Sequence, residues 1–103
     1  MNSIIQIKLG PLRELCGKHD VLRLAIFGSA GRDEFKPGRS DVDFLVEFRP
    51  LPPSQYARNY FALLAELEKL FGTAVDLVEK EPITNPFFKE EIERTQMVLY
   101  EAA

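Results

Sequence analysis

The chain has 103 residues and a formal net charge of −3, with 46% hydrophobic and 28% charged residues. This length and balance predict a single domain over residues 1–103 with one core, and they argue against disorder. The acidic balance argues against direct binding of long nucleic acid, since a module of that kind normally carries a basic stripe.

The first predicted element is a helix over residues 11–18, with Pro11 tolerated only in its first turn. Its apolar face, at helical spacing, includes Cys16, the only cysteine, which we expect to be buried. His19, the only histidine, follows the helix, and we expect it at the surface. One cysteine and one histidine exclude an intrachain disulfide and a cysteine-based zinc site.

Two predicted strands follow, separated by a segment with turn signals and room for a short helical turn. Residues 23–27 are a short apolar run, which predicts a buried strand that ends at Gly28. Residues 41–48 predict a strand whose side chains alternate between two faces. One face is apolar, and the other carries Asp41, Asp43, Leu45 and Glu47.

The second half of the chain predicts a helix, a strand and a helix. The first helix runs to about Phe71, with Ser54 as its cap. Residues 73–78 predict a third strand, and the last helix spans residues 86–100 after an Asn85 cap. This order predicts an α/β (α+β) fold with a small sheet of three or more strands and helices on at least one face. Strand direction stays open at this point.

Three features of the pattern carry chemistry. Gly28-Ser29 follows a buried strand, and a helix that begins there would offer free N–H groups to an anion, although a plain turn also fits. Asp41 and Asp43 are two apart on a strand, so their carboxylates share a face and repel unless a cation such as Mg²⁺ or Mn²⁺ lies between them. A solvated strand edge is the simpler alternative. Asp76 interrupts an apolar strand, where a charge is costly unless it is paired or coordinated, although a capped or edge-exposed aspartate also fits.

In this order, the three features resemble the signature of the nucleotidyltransferase superfamily related to DNA polymerase β. That signature is Gly-Ser after a strand, Asp-x-Asp on the next strand and a third carboxylate on a later one. Residues 27–46 and 85–100 are similar to the minimal nucleotidyltransferase (MNT) branch, so the resemblance covers nearly the whole chain. Eleven residues separate Ser29 from Asp41, one more than in many members, and Arg32 falls where the family usually has arginine.

The resemblance implies the polymerase β-like fold with a small mixed sheet, and an enzyme that transfers AMP from ATP. The implied catalytic residues, which would also hold two Mg²⁺ ions or Mn²⁺, are Asp41, Asp43 and Asp76. The implied nucleotide-binding residues are Gly28, Ser29 and Arg32. MNT proteins occur as antitoxins encoded beside a HEPN-domain ribonuclease toxin, so the implied acceptor is a tyrosine hydroxyl of that toxin.

A second class of function stays open. The chain would then be a non-catalytic antitoxin or nucleotide-binding module that inhibits its partner by binding alone. A homo- or hetero-oligomer is compatible with either function. No apolar run approaches the length of a transmembrane helix, and the amino terminus lacks a signal-peptide pattern. We therefore expect a cytoplasmic protein that does not associate with membranes.

Overall fold

The computed structural model describes residues 3–28, 42–80 and 84–103. Its elements in chain order are α1 (Ser3–Ile7), α2 (Leu9–Lys18), β1 (Val21–Phe27), β2 (Val42–Phe48), α3 (Pro53–Phe71), β3 (Val75–Glu79), α4 (Pro86–Thr95) and β4 (Met97–Glu101). The strands form a four-stranded sheet in the order β3-β2-β1-β4. β1 is antiparallel to β2 and β4, whereas β2 and β3 are parallel. The predicted small mixed sheet is therefore confirmed.

Helices α1, α2 and α3 cover one face of the sheet. The predicted alternation of β2 is confirmed, because its apolar side chains at positions 42, 44, 46 and 48 all belong to the core on this face. α3 connects the parallel strands β2 and β3, which is the crossover that such a pair requires. It packs on the core through its predicted apolar stripe and ends at Gly72 in the left-handed conformation, as glycine allows.

Helix α4 covers the opposite face. Ile92 belongs to a buried cluster with residues of β1 and β2, and the ring of Phe88 meets the edge of Phe27 at a centroid distance of 5.8 Å. The predicted cap of this helix is confirmed, because the Asn85 side chain accepts hydrogen bonds from the backbone N–H groups of residues 87 and 88. Within the described parts of the chain, no helix is both long enough and apolar enough to span a membrane.

The predicted last helix is wrong over its last five residues, 96–100. α4 ends at Thr95, and Gln96 adopts an extended conformation with φ −65° and ψ 146°. Residues 97–101 then form β4, which pairs with β1 at an edge of the sheet. This run contains valine and tyrosine, which favour strands, and Leu99 is buried while Val98 is exposed, as in a strand with one buried face.

Three smaller predictions about the helices have mixed outcomes. Ser54 is not the cap of α3, because that helix begins at Pro53, whose fixed φ suits the first helical position. Cys16 is fully buried, as predicted. His19 is not at the surface, because it is only 8% exposed. Its Nδ1 lies within hydrogen-bond distance, 2.8 Å, of the Leu15 carbonyl oxygen in the last turn of α2.

Candidate functional site

The predicted site residues that the structure describes meet at one end of the sheet. Asp43 is the second residue of β2, Asp76 is the second residue of β3, and Gly28 directly follows β1. The other three predicted site residues lie outside the described ranges: Ser29, Arg32 and Asp41.

Asp43 and Asp76 are register partners on the parallel strands β2 and β3. Partners of this kind point to the same face of the sheet, and neighbouring strands lie roughly 4.8 Å apart. Asp43 is half-buried and Asp76 is exposed. Two negative carboxylates at paired positions of neighbouring strands repel each other, and a divalent cation beside them offsets that repulsion. The strand pairing thus builds a place where a cation gains two anionic oxygen donors.

Gly28 packs against the carboxylate of Asp43. The preceding residue, Phe27, pairs with Asp43 across β1 and β2, so the chain leaves the sheet beside that side chain. A Cβ atom at position 28 would lie 3.0 Å from Asp43 Oδ2. Gly28 also has φ 71°, in the left-handed region that favours glycine. The lack of a side chain at position 28 therefore leaves room for the carboxylate.

Thr95, at the end of α4, is a site contact that sequence reasoning did not find. Its Oγ1 accepts a hydrogen bond from the Gly28 N–H at 3.1 Å, across 67 positions of the chain. This N–H is therefore engaged within the protein and is not free to bind an anion. No local pattern around Thr95 marks the contact, because only the packing of α4 on the sheet creates it.

Two tyrosines of α3 fix β3, the edge strand that carries Asp76. The Tyr60 hydroxyl donates to the Leu77 carbonyl oxygen at 2.6 Å, and the Tyr56 hydroxyl donates to Glu79 Oε2 at 2.8 Å. Burial, followed by the charges of Glu79 and Asp76, raises the pKa of Tyr60. Burial and the Glu79 hydrogen bond raise the pKa of Tyr56 to about 12. Both hydroxyls therefore remain donors at neutral pH.

The donor chemistry of the pair fits a hard cation. Carboxylate oxygens are the ligands that Mg²⁺ and Mn²⁺ prefer. Among the residues that the structure describes, no group of three or more His, Cys, Asp and Glu side chains is arranged around a common metal position. Asp41, the third predicted ligand, lies outside those residues, so the described part of the site supplies two of the three predicted carboxylates.

Sequence comparisons relate most of the chain to one family. The model of the nucleotidyltransferase domain matches residues 12–96. An inferred protein adenylyltransferase of Methanocaldococcus jannaschii is 45% identical over 76 residues, which is 74% of each protein. The protein adenylyltransferase MntA of Thermococcus cleftensis is 34% identical over 89 residues, which is 86% of each protein.

Solved structures agree with this relationship. A protein described as an inferred minimal nucleotidyltransferase superposes with a TM-score of 0.66 at 29% identity, covering 94% of this chain and 95% of that one. A complex of a tri-AMPylated Shewanella oneidensis HEPN toxin with an MNT antitoxin contains a chain that matches with a TM-score of 0.64. That match covers 94% of this chain and 72% of the other, and at 16% identity it shows the fold alone. With its aspartate pair beside a glycine turn, the chain belongs to the nucleotidyltransferase domain family and is a homologue of the MntA protein adenylyltransferases.

Proposed function

We propose that the chain is an antitoxin that transfers AMP from ATP onto a tyrosine hydroxyl of a cognate HEPN ribonuclease toxin, and so neutralises it. The observation that carries the proposal is the pairing of Asp43 with Asp76 on one face of the sheet, with Gly28 against Asp43. The relatives that are protein adenylyltransferases support the reaction. The complex of an AMPylated HEPN toxin with an MNT antitoxin supports the class of partner.

The carboxylates have a role as metal ligands in this proposal. Asp43 and Asp76, together with Asp41, would hold two Mg²⁺ ions, or Mn²⁺, through their oxygens. Such ions, when bound, neutralise the triphosphate and stabilise the attacking and leaving oxygens. The protein contributes the spacing of the ligands, which the register of β2 and β3 sets before the nucleotide arrives.

The transfer itself is a displacement at phosphorus. The tyrosine oxygen of the partner bonds to the α-phosphorus as the bond from that phosphorus to the bridging oxygen breaks, and pyrophosphate leaves. The Asp76 side chain, exposed at the sheet end, accepts the proton of the tyrosine hydroxyl. Ser29 and Arg32, beyond Gly28, would bind the β- and γ-phosphates. Most of the rate gain would come from positioning and charge stabilisation.

The proposal requires the partner to supply the acceptor and part of its recognition. Within the described residues, α4 is the helix that packs on the face bearing Asp43 and Asp76, through the cluster around Ile92. A partner side chain would therefore approach from the end of the sheet, where Asp76 is exposed.

Mass spectrometry of the partner tests the proposal directly. After incubation with ATP and Mg²⁺, the HEPN partner should gain one or more AMP units on tyrosine and lose ribonuclease activity. The double variant Asp41→Asn with Asp43→Asn should lose both effects. Glu66→Gln, which removes one negative charge from an exposed position on α3, is the matched control and should retain both.

The same experiment separates the two classes of function. If the double variant still neutralises the toxin in full without modifying it, the chain acts by binding alone. If the wild-type chain leaves the toxin unmodified under all nucleotide conditions, the transferase proposal is wrong.

A further inference from the structure

We propose that Thr95 is a positioning residue for the transfer reaction, because its hydroxyl holds the Gly28 turn in the conformation that accommodates the Asp43 carboxylate. This inference rests on the proposed function, since it assigns a role within the same site.

The direction of the Thr95 hydroxyl is set by two hydrogen bonds. Its proton is donated to the Glu91 carbonyl oxygen, at an oxygen–oxygen distance of 2.8 Å within α4. Its oxygen accepts the Gly28 N–H at 3.1 Å. Because a hydroxyl has one proton and two lone pairs, the bond to Glu91 leaves a lone pair as the acceptor for Gly28.

The turn is the part of the site that needs such support. Gly28 has φ 71°, and its Cα faces Asp43 so closely that a Cβ would lie 3.0 Å from Oδ2. Glycine has the widest choice of backbone conformations, so the sequence alone does not hold it at this value of φ. A hydrogen bond to its N–H restricts the rotation of the residue and hence the space beside the carboxylate.

The packing of helix α4 on the sheet fixes the position of Thr95. Ile92, one turn before Thr95, is 4% exposed in the cluster with β1 and β2, and Phe88 packs on Phe27. The helix itself gains little from threonine, because a hydroxyl that bonds back to the carbonyl four residues earlier slightly destabilises helices. The long-range bond to Gly28 is therefore the stabilising contribution that is specific to this side chain.

The test compares Thr95→Val, which keeps the shape and removes the hydroxyl, with Thr95→Ser, which keeps the hydroxyl. Thr84→Val, at an exposed threonine before α4, is the matched control. For each variant, kcat and KM for ATP are measured with the HEPN partner, well below the melting temperature recorded by circular dichroism. Deuterium exchange of the Gly28 amide, followed by NMR, reports the hydrogen bond without reference to activity.

We expect Thr95→Val to lower kcat roughly 10-fold to 100-fold, the range for small misplacements of catalytic groups, with a smaller change in KM for ATP. Its Gly28 amide should exchange faster than in the wild type. Thr95→Ser should keep both kcat and the exchange rate of the Gly28 amide close to their wild-type values. Thr84→Val should leave both quantities unchanged.

Two results would overturn the inference. One is a wild-type kcat for Thr95→Val, and the other is equal impairment of both Thr95 variants with a Gly28 amide that stays protected. A wild-type chain without transfer activity would instead refute the proposed function. In that case, equal Gly28 exchange in the two Thr95 variants would also reject the structural part of this inference.

Discussion

Two glycines share a left-handed backbone conformation but differ in their surroundings. Gly28 has φ 71° and Gly72 has φ 67°. A Cβ at Gly72 would meet nothing within 4 Å, whereas one at Gly28 would press on Asp43 Oδ2 at 3.0 Å. Alanine substitutions at these two positions therefore separate the free-energy cost of backbone strain from the effect of crowding a carboxylate.

We expect Gly72→Ala to lower the free energy of unfolding by about 1 to 2 kcal/mol, the cost of a left-handed non-glycine residue, and to leave AMP transfer intact. Gly28→Ala should cost at least as much stability and also reduce transfer by roughly 100-fold, since it displaces the Asp43 carboxylate. Urea unfolding and the mass-spectrometric assay measure the two effects. Equal activity of the two variants would contradict the role given to Gly28.

Burial raises the pKa of the Cys16 thiol to about 12, from 9.0 in an unperturbed cysteine. The folded chain therefore holds the proton more tightly than the unfolded chain. The stabilisation that comes from this difference in proton affinity is fully present below the thiol pKa of the unfolded chain. It is lost as the pH rises from that value toward 12. Tyr56, whose pKa is also raised to about 12, adds to the loss with the same sign.

We expect the free energy of unfolding to fall by about 2 kcal/mol between about pH 8 and about pH 10.5 through Cys16 alone. Cys16→Ala should start from a lower stability, because it leaves a cavity, but should show a shallower decline with pH. Urea titrations at the two pH values measure the slopes, with Tyr56→Phe as a control for the tyrosine contribution. Parallel slopes for wild type and Cys16→Ala would count against the assignment.

At the scale of single elements, α4 depends on its amino-terminal cap. Asn85 Oδ1 accepts hydrogen bonds from Phe87 N at 2.9 Å and from Phe88 N at 3.2 Å. We expect Asn85→Ala to lower the free energy of unfolding by about 1 kcal/mol, while Asn85→Asp keeps the acceptor and most of the stability. Chemical unfolding of the three proteins measures the difference. A stability of Asn85→Ala equal to that of wild type would show that the cap contributes nothing.

The two tyrosines of α3 bond to β3 at different distances from Asp76, so the effects of losing each hydrogen bond can be compared. Tyr60 bonds to the backbone of Leu77, next to Asp76, whereas Tyr56 bonds to the side chain of Glu79. We expect Tyr60→Phe to lower stability by about 1 kcal/mol and to slow transfer, because it loosens the strand beside the carboxylate. Tyr56→Phe should slow transfer less, and a larger effect on kcat from Tyr56→Phe would refute this ranking.

The elements that sequence patterns predict best are those with a long, regular repeat. α3 and β2 follow periods of a helix and a strand, and both are confirmed. The segment after Thr95 misleads because Leu99 lies seven residues after Ile92, a spacing that continues the apolar face of a helix. Valine and tyrosine in this segment favour a strand, but its pairing with β1, which lies so far away in the chain, is not predicted by the local sequence.

The same division applies to the site. The isolated charge of Asp76 indicates a partner or a ligand, and the resemblance to the nucleotidyltransferases assigns Asp43 and Asp76 to one site. The register of β2 and β3 makes the two residues neighbours. Their roles in catalysis stay predictions. The Thr95 contact was not predictable, because it joins positions 67 residues apart through the packing of α4.

At the scale of the whole molecule, we expect the proposed metal ions to be required for AMP transfer but not for folding. The buried cores on the two faces of the sheet are apolar, so they do not depend on an ion at the sheet end. We expect EDTA to abolish AMP transfer, and Mg²⁺ or Mn²⁺ in excess to restore it. The melting temperature should stay unchanged by EDTA. Transfer that persists in EDTA would contradict the proposed metal ions.

The antiparallel pairing of β1 with β4 affects how the protein folds during its synthesis on the ribosome. β1 is an interior strand, yet one of its neighbours is the last strand to be synthesised among those described. A nascent chain that has emerged only through β3 lacks both β4 and the helix that anchors Gly28. Because contacts between distant parts of the chain form late and slowly, the end of the sheet that carries Asp43 and Asp76 is complete only after α4 and β4 have been translated.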